Sequence, residues 1–109
     1  MAQEYVNLSE NAGIGTIALS KSVFELITEI TVDELKGVEK SSVGKFSSAI
    51  HCKIEKNKLN INVNVKVKYG ANVNRECETL QHRIQQNILE MTNLECNRIN
   101  ITVGGFEIE

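Results

Sequence analysis

Leu59-Asn-Ile-Asn-Val-Asn-Val-Lys-Val-Lys-Tyr69 carries an apolar side chain at every odd position and Asn or Lys at every even one. Successive side chains of a strand point to opposite faces, so this stretch predicts one long strand with a dry side and a wet side. The segment before it alternates in the opposite parity, with Ile50, Cys52 and Ile54 between His51, Lys53 and Glu55. Bringing both apolar sets onto one face calls for Ile54 opposite Leu59, Cys52 opposite Ile61 and Ile50 opposite Val63, or for a bulge in place of this register. The turn is then Glu55 to Lys58, with Lys56 and Asn57 at its centre, and Asn tolerates the positive φ that a tight hairpin turn demands.

Outward from this hairpin the period changes. Upstream, Thr16 to Leu19 reads as a short strand, and Ser20 can cap a helix over Lys21 to Lys36. The apolar stripe of that helix is Val23, Phe24, Ile27 and Ile30, widened by Leu26 and Leu35, with Gly37 placed to supply a left-handed stop. Val38 onward is extended, and Ser41 to Ser48 reads as a loop or irregular edge. Downstream, Gly70 breaks the long strand and Asn72 can cap a second helix ending near Thr92. Its apolar positions Val73, Cys77, Leu80, Ile84, Ile88 and Met91 step by three or four residues, while polar residues cover the other sides. Ile99, Ile101 and Val103 then alternate, and the apolar phase switches to Phe106 and Ile108 across Gly104-Gly105, which predicts a bulge or a strand end.

The order β-α-β-β-β-α-β predicts an α+β fold, a two-layer sandwich with a mixed sheet and both helices on one face. With 109 residues, the chain is expected to form a single domain over residues 14–109, preceded by a flexible segment 1–13. A hydrophobic fraction of 41% beside 24% charged residues is that of an ordinary globular protein. The formal net charge of −2 argues against general attraction to nucleic acid or anionic lipid, although a local basic patch escapes that sum. No apolar run is long enough to span a bilayer, and Met1 to Asn11 is too polar for a signal-peptide core, so the chain is expected in the cytoplasm, without direct membrane insertion. Cys52, Cys77 and Cys96 form no Cys-x-x-Cys pair and cannot all pair with one another, which suits a reducing compartment.

Few residues invite a reading as chemistry. His51 and His82 both fall on polar phases and read as solvated. Cys52 and Cys77 belong to apolar stripes and read as buried thiols, with no ligand pair at zinc spacing. Cys96 is the candidate exposed thiol, yet nothing beside it is arranged to lower its pKa. Gly13-Ile14-Gly15 precedes a strand instead of following one, so it does not read as a nucleotide cradle. Glu25, Glu29, Asp33 and Glu34 on the first helix are spaced as solvating charges. The chain is therefore read as a non-enzyme with no catalytic, cofactor-binding or metal residues. The least ordinary surface is the row Asn60, Asn62, Asn64, Lys66 and Lys68; if the helices cover the opposite face, it is either open to water or a contact face for another subunit.

An ordered set of segments supports a resemblance. Gly15-Thr-Ile-Ala-Leu-Ser20, Val23 with Ile27 and Ile30, Leu35-Lys-Gly-Val38, Val67-Lys-Tyr-Gly70, Leu80-Gln81 and the closing Met91 to Gly105 resemble the alkaline shock protein family of Gram-positive bacteria. The likeness covers about Ile14 to Phe106. It departs at Thr31, Val32 and Asp33, where small residues are common, and in the short loop after Val38. The resemblance implies a small, abundant, self-associating cytoplasmic protein of the envelope or general stress response, in some members tied to membrane-lipid metabolism. It implies no enzyme activity and no catalytic residues. Two functions are carried forward, and an enzyme using one of the cysteines is ranked after them. One is a scaffold that associates with itself or with a membrane-anchored partner; the other is a regulator that binds a lipid-metabolism enzyme or a small ligand.

Overall fold

The computed structural model describes residues 5–11, 15–41 and 49–108. In chain order the elements are β1 (Tyr5–Asn11), β2 (Gly15–Ser20), α1 (Lys21–Glu34), β3 (Val38–Lys40), β4 (Ile50–Glu55), β5 (Lys58–Lys68), α2 (Val73–Thr92) and β6 (Arg98–Glu107). The α+β class is as the sequence implies. Strand β5 is the spine of a four-stranded sheet, antiparallel to β3 and β4 and parallel to β6. The parallel pair is made possible by α2, which carries the chain back across the sheet.

The predicted hairpin register is the observed one: Ile54 pairs with Leu59, Cys52 with Ile61 and Ile50 with Val63. Lys56 and Asn57 occupy the turn with φ of 50° and 63°, as a two-residue turn matched to strand twist requires. Along β5 the odd residues Leu59 to Val67 are buried and the even ones are half-buried or exposed. Strands β3 and β4 lie end to end on the same edge of β5. Val38 to Lys40 pairs with Val67 to Val65, and Ile50 to Glu55 pairs with Val63 to Lys58. Between them, Asn64 accepts from the Ser41 N–H at 2.9 Å and donates its own N–H to the Ala49 carbonyl at 2.8 Å. One residue of β5 thus bridges the two ends that flank residues 42–48. The loop expected over Ser41 to Ser48 otherwise lies outside the described residues.

Helix α2 follows its stripe. Leu80, Ile84 and Ile88 are fully buried, and the Asn72 side chain accepts from the Arg75 N–H at 3.1 Å as its cap. Met91, placed on the same stripe by its spacing, is 70% exposed, because Thr92 takes the last inward position and donates its hydroxyl to the Ile88 carbonyl at 2.6 Å.

Helix α1 departs further from its sequence reading. Its buried residues are Phe24, Ile27, Thr28, Thr31 and Val32, while Leu26 and Ile30 are about half exposed. Two threonines take core positions because each hydroxyl returns to the carbonyl four residues back, Thr28 to Phe24 at 2.8 Å and Thr31 to Ile27 at 2.7 Å. Ser20 occupies the N-cap position without a side-chain cap bond. Gly37 is not a left-handed stop, since the C-cap is Leu35 in extended conformation. Glycine fits at 37 for a different reason: a Cβ there would run into the carboxylate of Glu76 on α2.

Two further corrections concern the strands. The segment at Thr16 to Leu19 is a strand, but among the described residues it does not join the main sheet and β2 pairs only with β1, in an antiparallel ribbon. Tyr5–Asn11, expected within a flexible segment, forms that β1 strand, while residues 1–4 and 12–14, including most of Gly13-Ile14-Gly15, lie outside the described residues. The ribbon helps to stretch the molecule to 56 × 29 × 19 Å with a radius of gyration of 15.3 Å, against about 13 Å for a sphere-like chain of this length. Tyr69, counted on the dry face from its parity, lies just beyond β5, is 74% exposed and meets Phe106 edge to face at 6.2 Å.

Candidate functional site

With both helices on the odd face of β5, the even face is the outer face of the sheet. Its rows follow from the pairing. His51, Asn62 and Asn100 form one row, Lys53, Asn60 and Arg98 the next, and Glu39 and Lys66 a third. The predicted surface residues Asn60, Asn62, Asn64, Lys66 and Lys68 therefore do lie side by side. Asn60 and Asn64 are half-buried and the other three are exposed.

Sequence reading missed the neighbours that complete this face. The Asn97 amide donates to Asn60 Oδ1 at 2.9 Å, and the Asn100 amide donates to Asn62 Oδ1 at 3.1 Å. These cross-strand amide pairs fix the carbonyl ends of Asn60 and Asn62 and orient the row. The alternation of Ile99, Ile101 and Val103 with Asn100 and Thr102 carried the signal for Asn100. Asn97 precedes the strand and had none. Five cations on this face, Lys53, Lys58, Lys66, Lys68 and Arg98, outnumber the carboxylates Glu39, Glu55 and Glu107 placed there by the register. The face is thus mildly basic on a chain of net charge −2. Lys53 and Glu55 pair at 2.8 Å, both well exposed, a contact worth little in water.

The residues weighed for chemistry lie apart. Cys52 is buried under α1 with the core, and Cys77 is half-buried, its thiol pKa raised by burial and then by Glu76. Cys96, expected to be exposed, is half-buried, and burial pushes its thiol up to about 11. At neutral pH such a thiol is protonated and weakly nucleophilic. Both histidines are exposed. Among the described residues no group of His, Cys, Asp and Glu side chains is gathered as metal ligands require.

Three of the four carboxylates of α1 are engaged structurally, and Glu34 is exposed at its end. Glu25 accepts the Cys52 N–H at 3.2 Å, and Lys40 bridges Glu29 at 2.8 Å and Asp33 at 3.7 Å. The hydrogen bond to Glu29 is the main reason the Lys40 pKa is raised. Glu25, Glu29 and Lys40 border an open groove of about 470 Å³ beside Leu26 and Ile50. Its polar groups are tied to the fold, not directed at a common point.

The family model for alkaline shock protein 23, with a cell envelope-related function, matches residues 9–108. The chain belongs to the alkaline shock protein 23 family. It is also similar to the uncharacterized protein YqhY of Bacillus subtilis (strain 168), 26% identical over 112 residues that span 92% of this chain and 83% of that one. No solved structure matches it. As an alkaline shock protein 23 family member the chain carries the family's cell envelope-related function, and no described helix is long and apolar enough to cross a membrane.

Proposed function

We propose that this chain is a non-catalytic interaction module of the cell envelope and general stress response. It presents the open face of its sheet to a partner, either another copy of itself or a membrane-anchored protein through which it reaches the membrane from the cytoplasm. The observation that carries this reading is the row Asn60, Asn62, Asn64, Lys66 and Lys68. It runs along the central strand, held rigid from below by buried odd residues and from the side by the amides of Asn97 and Asn100. A flat, pre-ordered polar surface loses little conformational entropy on binding, and Asn offers donors and acceptors without like-charge repulsion.

Replacing Asn62 and Asn64 together by Glu tests the reading. The fold is expected to persist, because Asn62 is exposed and Asn64 is half-buried beside it. Co-purification from cell extract and sedimentation velocity should both show lost association. Unchanged association would remove this face as the contact surface. Capture of a lipid-synthesis enzyme through the same residues would favour the regulatory reading instead.

A further inference from the structure

The two edges of the main sheet are treated differently. On the β4 edge, α1 packs alongside and the Glu25 carboxylate accepts the outward N–H of Cys52. On the other edge, β6 runs for ten residues, and among the described residues no strand pairs its outer side. The direction of its backbone groups follows from the ladder. The N–H and C=O of Asn64 point to Ala49 and Ser41, so the odd residues of β5 direct theirs towards β6. In a parallel ladder the residues opposite even β5 positions, Arg98, Asn100 and Thr102, then face inward, and Ile99, Ile101 and Val103 direct their N–H and C=O groups outward. The Gln81 amide donates to the Ile99 carbonyl at 3.0 Å, which agrees with that direction and takes one of the two lone pairs of that carbonyl, leaving the other open.

Soluble proteins guard such an edge with Lys, Pro or a covering element. The stretch Arg98 to Val103 has neither Lys nor Pro. The side chains of Ile99, Ile101 and Val103 are packed on the core yet only half-buried, because the core stops at this edge.

We propose that the outer edge of β6 pairs antiparallel with the β6 edge of a second copy, about a two-fold axis at Ile101. The occupant is inferred from self-complementarity. In this register Ile101 meets its own counterpart and Ile99 meets Val103, so β-branched side chains pair on the helix side and the half-open core is closed from both copies. On the outer face Asn100 meets Thr102, and Arg98 meets Gly104. No like charges are opposed anywhere in the seam, and Gly104 is the extra residue of the bulge that ends it. The pairing goes beyond the proposed partner surface and rests on the reading of the chain as an associating module: it joins two open faces into one continuous sheet.

The test uses the full chain and two exposed-face variants. Asn100→Glu with Thr102→Glu places two symmetric Glu–Glu contacts in the seam, and Asn100→Lys with Thr102→Lys places Lys–Lys contacts there. Each is expected to weaken self-association by roughly 10- to 100-fold, and an equimolar mixture of the two should regain it. Light scattering reads the mass, and amide hydrogen exchange reads the edge. The N–H groups of Ile101 and Val103 should exchange more slowly as concentration rises, while those of Asn100 and Thr102 stay slow throughout.

If the chain self-associates while the Ile101 and Val103 amides exchange as in dilute solution, the edge pairing is overturned and the interaction reading stands. Protection of those amides only on addition of a different protein overturns the second copy as occupant. A chain that stays monomeric at every concentration and captures no partner from extract overturns both.

Discussion

The buried threonine in the last turn of α1 gives a sharp test of how the helical layer is held. Thr31 is fully buried, donates to the Ile27 carbonyl at 2.7 Å and accepts from the Asn87 amide on α2 at 2.8 Å. Thr31→Val keeps the shape and removes both hydrogen bonds, each worth about 1 kcal/mol net. The added buried methyl returns roughly 0.8 kcal/mol, so a loss of about 1 kcal/mol is expected. Asn87→Ala removes only the cross-helix bond, costing about 1 kcal/mol, and gains roughly 0.5 kcal/mol of helix propensity. In the Thr31→Val background the bond is already gone, so the same substitution should stabilise by that propensity gain. Urea denaturation of the four proteins, followed by helical circular dichroism at constant m-value, should therefore give a coupling of about 1 kcal/mol. Additivity within about 0.3 kcal/mol would show that the two helices are not joined through Thr31, and the packing assigned to α1 would be wrong.

Lys56→Asn with Asn57→Gly supplies residues that accept the positive φ of the hairpin turn and should raise stability by about 1 kcal/mol, read as an increase in melting temperature. Ile84→Ala empties a fully buried position between helix and sheet and should cost about 2 to 5 kcal/mol in denaturant titration. The Cys96 thiol has its ordinary pKa of 9.0 in the unfolded chain and about 11 in the folded one. The folded state therefore keeps a proton that the unfolded state loses. Stability from this group is fully present below pH 9 and declines as pH rises towards 11; Cys96→Ser should flatten that decline in urea midpoints measured across the range.

The hairpin was legible to the residue because parity allows only registers two residues apart, and the turn residues Lys56 and Asn57 select one of them. The change of parity across Gly104-Gly105 was legible as a bulge or a strand end, and the continuation of β6 to Glu107 makes it a bulge. What escaped were positions where polarity misleads. Thr28 and Thr31 look like surface residues but satisfy their hydroxyls inside the helix, whereas Leu26 and Ile30 look like core and are not. Strand β1 escaped because Tyr5–Asn11 is mostly polar, and β2, although read as a strand, carries too short an apolar run to say which sheet it joins. Of the candidate surface, the β5 row was visible from alternation. Its supports, Asn97 and Asn100, depend on which strand lies beside β5, and one sequence does not encode that pairing locally.

The central claim is that the even side of β5 faces a partner while the odd side is sealed under the helices. It is tested most directly by the acetylation rates of Lys53, Lys66 and Lys68 on the open face and of Lys36 on the helical side, compared by mass spectrometry between expressing cells and dilute purified protein. The account predicts slower modification of the first three in cells and an unchanged rate at Lys36. Equal rates at all four, or protection at Lys36 alone, would contradict it.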